Sequence, residues 1–181
     1  TGTIFRDVST YVRAQTDELT TVARQAGVRD DSRLTIQIGS LPREELWAEG
    51  DVFVDPEKFN GLSLPHHEAR AAGLLVMATD RYPANAWLPK DALIPVKRYV
   101  KARVAPRMIE YDEAVVTPEA IAETIDTWYD RDISAYSLSG RKWAQEQSWA
   151  ELKSKYLGAL EGLIDRGAQA DGAKHSVRPY V

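Results

Sequence analysis

The chain has 181 residues and a formal net charge of −4, a size that suits one ordinary domain with its own hydrophobic core. It contains no cysteine, which excludes disulfides, thiolate metal sites and a cysteine nucleophile, and we expect a reducing, cytoplasmic compartment. No apolar run approaches the length of a transmembrane helix, and the negative charge argues against a surface devoted to nucleic acid.

The first part of the chain predicts a helix, a strand and a short helix. In residues 5–26 apolar side chains recur at helical spacings, the pattern of an amphipathic helix, which Gly27 closes. Residues 34–38 alternate between apolar and polar side chains and predict a strand that ends at Gly39. Residues 41–47 predict a short helix, since a proline stands near their start.

A strand, a loop, a helix and a second strand follow one another in the centre of the chain. Residues 51–55 are apolar at their centre and lead into an Asp-Pro pair, as in a buried parallel strand. Pro65 suits the first turn of a helix over residues 65–72, which Gly73 ends, and residues 74–78 predict the next buried strand. This order predicts an α/β fold with a parallel sheet covered by helices.

The loop between this strand and helix is the candidate ligand site. The first amides of a helix lack intrahelical partners, and here they would point into the crevice at the carboxyl end of the sheet, where phosphate binds readily. Gly61 and Ser63 are small enough for a ligand to approach the backbone, and Glu68 lies about one turn into the helix, within reach of a ribose-like diol. A plain β-α-β crossover with a surface glutamate is the alternative interpretation.

The same stretch resembles a signature of known enzymes. From Asn60 to Asp80 the residues read N-G-L-S-L-P-x-x-E-A-x-A-x-G-x-x-V-x-A-T-D. This run is similar to the donor-binding signature of group-one glycosyltransferases of the GT-B fold, E-G-F-G-L-P-x-x-E-A-x-A-x-G-x-P-V-x-A-T. A second segment, Ser148-Trp149-x-x-Leu152-x-x-x-Tyr156, is similar to the one that opens the last helix of that family. The resemblance covers roughly residues 30–165.

The resemblance implies a fold, an activity and a set of site residues. The fold is a Rossmann-like parallel sheet with helices on both faces, one half of a GT-B fold, over residues 1–165, followed by a tail over 166–181. The activity is sugar transfer from a nucleotide-sugar, which is a substrate, so neither a cofactor nor a metal is expected. The implied donor-binding residues are Gly39, Gly61, Leu62, Ser63, Leu64 and Glu68.

Asn60 departs from the family pattern. It takes the implied catalytic position, where the family has a glutamate beside the donor sugar. An amide can hydrogen-bond a sugar hydroxyl, but it carries no charge to stabilise an oxocarbenium-like transition state. The family's diphosphate-clamping loop and acceptor domain are not found in the chain, so we expect an N-terminal acceptor domain or subunit. A non-catalytic binding or scaffold domain derived from a glycosyltransferase is the alternative function.

A basic stretch lies downstream of the signature. Five basic residues and no acid occur between residues 96 and 107, namely Lys97, Arg98, Lys101, Arg103 and Arg107. They predict either a solvated face paired with the acids of residues 110–113 or a surface that binds an anionic acceptor. Such an acceptor would be an acidic polysaccharide, a lipid-linked phosphate or a modified nucleic acid.

The remaining elements are two strands and two helices. Residues 93–96 predict a short edge strand and residues 114–116 a last strand. Thr117, Pro118 and Glu119 predict a helix start, with a buried stripe of Ile121, Ile125, Trp128 and Tyr129. A final helix begins at Ser148, with Glu151 completing a capping box.

Two adjacent histidines precede Glu68 on the central helix. Neighbouring helical residues point about 100° apart, so His66, His67 and Glu68 cannot all face one ion. We therefore expect structural or helix-capping roles for the histidines.

Overall fold

The computed structural model describes residues 10–14, 18–27, 31–104 and 109–174. The chain divides into two compact units, Thr1–Gly140 and Arg141–Val181. Its strands are β1 (Thr10–Ala14), β2 (Leu34–Ile38), β3 (Val52–Asp55), β4 (Leu75–Thr79), β5 (Leu93–Ile94), β6 (Arg98–Val104) and β7 (Ile109–Val115). Its α-helices are α1 (Glu18–Gln25), α2 (Arg43–Leu46), α3 (Leu64–Ala72), α4 (Pro118–Trp128), α5 (Ser134–Glu146) and α6 (Trp149–Lys174).

The first unit is built on a parallel sheet of β3, β4 and β5, with β4 in the centre. Every residue of β4 is buried, and successive side chains point to opposite faces because the strand is pleated. Val76 packs in one cluster with Ala69 of α3. Its neighbours Leu75 and Met77 pack in a second cluster with Trp128 of α4. Helices therefore flank the parallel sheet, which confirms the predicted α/β fold.

The central strand–loop–helix–strand unit forms within one residue of its predicted bounds. Pro65 lies in the first turn of α3, and Gly73 closes that helix in the left-handed conformation, with a φ of 94°. The Gly73 amide donates to the carbonyls of Ala69 and Arg70, so the chain turns directly into β4. β5 lies at the sheet edge, as predicted, although it is limited to Leu93–Ile94.

The helix predicted over residues 5–26 is wrong at its centre. Thr10–Ala14 is a strand that pairs in parallel with β2, and only Glu18–Gln25 is helical in the described part of this segment. The run Thr-Tyr-Val favours extended backbone because its residues are β-branched or aromatic. Residues 5–9 and 15–17 lie outside the described residues. β2 forms as predicted, in a two-stranded sheet separate from that of β3, β4 and β5.

The basic stretch forms one strand of an antiparallel hairpin, β6 paired with β7. The last strand is thus longer than the predicted residues 114–116. Across the hairpin, Lys101 lies 2.9 Å from Asp112 and 3.8 Å from Glu110, and Arg103 lies 3.7 Å from Glu110. These ion pairs agree with the predicted pairing of the stretch with downstream acids. Arg107 lies outside the described residues.

Helix α4 starts as predicted, since the Thr117 hydroxyl accepts a hydrogen bond from the Ala120 amide at 3.2 Å. Trp128 is buried and its indole N–H donates to the Asp91 carbonyl at 2.8 Å. The predicted burial of Tyr129 is wrong: the residue is 51% exposed, because the helix ends at Trp128 and Tyr129 is the C-cap, which has left the helical conformation.

Helix α5 was not predicted. It begins at Ser134, whose amide donates to the Asp132 carboxylate at 2.9 Å, so Asp132 forms an Asx turn that leads into the helix. Gly140 of this helix is buried against the backbone of Arg70.

In its described residues, the second unit contains the end of α5 and the long helix α6. The Glu151 amide donates to the Ser148 hydroxyl at 3.4 Å, in keeping with the predicted helix start. α6 runs to Lys174, so the predicted boundary between domain and tail at residue 165 falls inside a helix. Among the described residues, no helix has both the length and the apolarity needed to cross a bilayer.

Candidate functional site

The candidate site is the loop of residues 56–63, between the carboxyl end of β3 and the first turn of α3. Pro56 ends the strand, since it has no N–H to continue the ladder. Ser63 precedes α3 with a φ of 53°, a left-handed conformation that a residue other than glycine rarely adopts. The backbone reverses there so that α3 runs back over the sheet. Most of the predicted donor-binding residues thus lie on one short loop and one helix turn.

Asn60 organises this loop. Its side-chain carbonyl accepts a hydrogen bond from the Ser63 amide at 3.1 Å, and its side-chain amide donates to the Glu57 carboxylate. The Ser63 amide, which we predicted to bind a diphosphate, is therefore engaged by Asn60. Both ends of the residue at the predicted catalytic position are used within the loop.

The other predicted loop residues lie at the surface. Gly61 is exposed, and the side chains of Leu62 and Leu64 are 64% and 63% exposed. Two exposed leucines beside a helix start give this loop an apolar surface open to a ligand. Gly39 lies at the end of β2, in the separate two-stranded sheet, so no strand pairing brings it next to the loop.

Glu68 lies on α3 and is half-buried. Its carboxylate accepts a hydrogen bond from the indole N–H of Trp47 at 3.2 Å, and Trp47 packs edge-on against Phe53 of β3 at 5.0 Å. The glutamate is thereby held beside an aromatic side chain at the end of α2. A carboxylate fixed in this way is able to accept a further hydrogen bond from a hydroxyl of a ligand.

Three ionisable side chains meet behind the loop. The Nε2 atom of His66 lies 2.9 Å from a carboxylate oxygen of Asp55 and 3.5 Å from one of Glu57. The His66 side chain is fully buried and that of Glu57 is 7% exposed. Burial raises the pKa of Glu57, while the hydrogen bond from Asn60 and the charge of His66 act in the opposite direction.

Sequence reasoning did not group these three residues. The usable signal was that Asp55 ends a parallel strand while His66 occupies the first turn of the next helix, because those two places adjoin at the carboxyl end of a sheet. His67, by contrast, stacks on Trp87 with ring centroids 4.9 Å apart. Its pKa is lowered by burial and by the charges of Arg70 and His66.

The loop backbone is fixed by hydrogen bonds from three other elements. The Thr79 hydroxyl, at the end of β4, donates to the Glu57 carbonyl at 2.8 Å. The Ala114 amide of β7 donates to the Lys58 carbonyl at 2.7 Å, and the Arg81 guanidinium donates to the same carbonyl. The sheet therefore holds residue 57, and the hairpin holds residue 58.

Side chains strengthen the contact between loop and hairpin. Lys58 forms an ion pair with Glu113 at 2.9 Å, which raises the pKa of the lysine. Phe59 packs against Tyr111 with ring centroids 4.6 Å apart, and the Arg81 guanidinium lies 5.1 Å from the centroid of the Phe59 ring. The hairpin that carries the basic stretch thus buttresses the candidate site.

The four described basic residues that were predicted to contact an anion differ in whether an acidic side chain pairs with them. Lys101 and Arg103 are paired with acids of β7, and the ion pair with Asp112 raises the pKa of Lys101. Lys97 and Arg98 are exposed at the start of the hairpin.

A scan against models of protein families finds no match to this chain, and a search of curated proteins finds none either.

Proposed function

We propose that this chain is the C-terminal, donor-binding part of a glycosyltransferase, with a Rossmann-like domain of the GT-B type. The supporting observation is the loop of residues 56–63, which leads from a partly buried parallel strand into α3, so that loop and helix together carry the signature residues Asn60 to Glu68. The ligand is a nucleotide-sugar. An N-terminal domain or a separate subunit supplies the acceptor.

The proposal assigns a role to each group of site residues. Glu68 accepts hydrogen bonds from the ribose hydroxyls of the donor, and the backbone near Gly61 and Leu64 binds its diphosphate. Leu62 contributes apolar contact at the edge of the loop, and Gly39 borders the base. The Ser63 amide reaches the diphosphate only when it is released from Asn60, which then turns to a sugar hydroxyl.

Calorimetric titration with a panel of nucleotides and nucleotide-sugars tests donor binding. Glu68→Gln should weaken binding of the preferred nucleotide about 10- to 100-fold, since it replaces a charged hydrogen-bond acceptor by a neutral one. Glu123→Gln, at an exposed position of α4, is the matched control and should bind as the wild type does. Equal affinities of the wild type and Glu68→Gln, or absence of binding to every nucleotide, would contradict the proposal.

A second candidate is a binding or scaffold domain that has kept the fold without the chemistry. The observation that favours it is the use of both ends of the Asn60 side chain inside the loop. Asn60→Glu and the wild type should be compared for hydrolysis of the bound donor. Hydrolysis by the Asn60→Glu variant alone favours the scaffold, whereas turnover by the wild type that Asn60→Ala abolishes favours the enzyme.

The basic hairpin contributes contacts to an anionic acceptor in this proposal. All four described cations of the hairpin are exposed: Lys97 and Arg98 lie at its start, and Lys101 and Arg103 add charge that the β7 acids partly offset. Replacing Lys97 and Arg98 by alanine should weaken binding of an acidic polysaccharide or a polynucleotide and flatten its salt dependence, with donor affinity unchanged. Unchanged acceptor binding across a salt series would leave the hairpin as a structural element only.

A further inference from the structure

We propose that Asp55, Glu57 and His66 form a binding site for a divalent first-row transition-metal ion. One ligand atom from each residue lies within 4.8 Å of the other two, and His66 Nε2 is 2.9 Å and 3.5 Å from the nearest carboxylate oxygens. Around an ion with bonds of about 2.1 Å, neighbouring donor atoms of a tetrahedral or octahedral site lie about 3.0 to 3.4 Å apart. The two distances from His66 fall close to that spacing.

Charge and burial also favour a cation. Two carboxylates converge on a neutral or singly charged imidazole, and Glu57 is almost fully buried. One Glu57 oxygen, Oε1, has no hydrogen-bond partner among the described residues. The Glu57 oxygen that faces His66 is Oε2, so an ion bound by both Glu57 oxygens would relieve the cost of the unpartnered Oε1 while neutralising both acids.

The ligand types narrow the choice of ion. Imidazole nitrogen with two carboxylate oxygens suits zinc, manganese or iron, whereas magnesium and calcium prefer oxygen ligands alone. Three protein ligands leave at least one coordination position open. Asp55 is 29% exposed, which gives an ion a route from solvent to the site.

Neighbouring groups keep two of the three ligands, Glu57 and His66, in place. Asn60 donates to the Glu57 carboxylate, and Thr79 donates to the Glu57 backbone carbonyl at 2.8 Å. The His66 ring lies near those of Phe53 and Trp87, at centroid distances of 6.1 Å and 6.4 Å. Packing of this kind orients ligands before the ion arrives.

Zinc alone is the probe for the test. The full chain is stripped with a chelator and titrated with Zn²⁺ against a chromophoric competitor, in the absence of any nucleotide. We expect one ion per wild-type chain and an affinity lowered by at least about 100-fold in Asp55→Asn, which keeps the size of a partly exposed side chain. Asp91→Asn removes an exposed carboxylate outside the cluster and should bind Zn²⁺ as the wild type does.

Two further measurements separate a lost ligand from a misfolded chain. Zn²⁺ should raise the melting temperature of the wild type and of Asp91→Asn in a concentration-dependent way, and it should have no such effect on Asp55→Asn. Co²⁺ bound to the wild type should give visible absorption bands that Asp55→Asn lacks. Absence of stoichiometric Zn²⁺ binding, or equal Zn²⁺ affinity in wild type, Asp55→Asn and Glu57→Gln, would overturn the proposal. Neither outcome depends on donor binding, because no nucleotide is present.

Discussion

Replacing Thr79 by valine should loosen the candidate site without changing the size of the core. Thr79 is fully buried at the end of β4, and its hydroxyl donates to the backbone carbonyl of Glu57 at 2.8 Å. Valine has almost the same shape but no donor. The substitution therefore removes the hydrogen bond that ties the start of the loop to the central strand.

The expected loss of stability arises because the Glu57 carbonyl loses its hydrogen-bond donor. A partly buried carbonyl that loses its donor costs about 1–3 kcal/mol, and the added methyl group recovers about 0.8 kcal/mol. Thr79→Val should thus lower the free energy of unfolding by about 0.2–2.2 kcal/mol. For a chain of this size each kcal/mol lowers the melting temperature by about 2–4 °C.

Thr127→Val is the matched control. The Thr127 hydroxyl also donates to a backbone carbonyl at 2.8 Å, that of Glu123 one turn earlier in α4. That carbonyl lies at an exposed place on the helix, where water replaces the hydroxyl when it is removed, so the change should stay within about 0.5 kcal/mol. Urea unfolding followed by tryptophan fluorescence measures both variants. Equal stabilities for the two variants would refute the reasoning.

Two glycines in helices and one ion pair give further predictions. Gly140→Ala should lower the free energy of unfolding by about 1–3 kcal/mol, because the new methyl group overlaps the carbonyl oxygen of Arg70. Gly162 has free space around it, so Gly162→Ala should stabilise α6 by about 0.5–1 kcal/mol. Thermal unfolding of both variants checks the opposite signs. Arg33 lowers the pKa of Asp31 from 3.8 to about 2. The contribution of this ion pair to the free energy of unfolding is therefore complete above pH 3.8, and it is lost as the pH falls through about 2. A carboxyl NMR titration of wild type and Arg33→Gln should show the midpoint of Asp31 returning toward 3.8, and an unchanged midpoint would contradict the assignment.

Local signals explain why the centre of the chain was predictable. Pro65 and Gly73 mark the two ends of α3, and each acts through its own backbone chemistry wherever it occurs. The strand after the helix, β4, is buried as predicted, whereas every residue of β3 is only partly buried, so the predicted burial of β3 is wrong. The bounds of this region and the burial of β4 therefore follow from residues a few positions apart.

Features that depend on distant partners were missed. Thr10–Ala14 carries side chains that fit a helical period, and its strand is decided by pairing with Leu34–Ile38. The grouping of Asp55 with His66 depends on how α3 turns back over the strand, so it follows from the order of strand, loop and helix and from no motif spacing. The acids opposite the basic stretch were recognised as partners, but the register that pairs Lys101 with Asp112 needed the hairpin itself.

The contact between loop and hairpin also sets an order of events in folding. β3, α3 and β4 are neighbours in sequence, and so are β6 and β7, so both substructures can form early from local contacts. The hydrogen bond from the Ala114 amide to the Lys58 carbonyl joins the two across a long stretch of chain, so we expect it to close after them. The Ala114 amide is thus a natural reporter, whose hydrogen exchange follows the opening of the loop while the sheet stays intact.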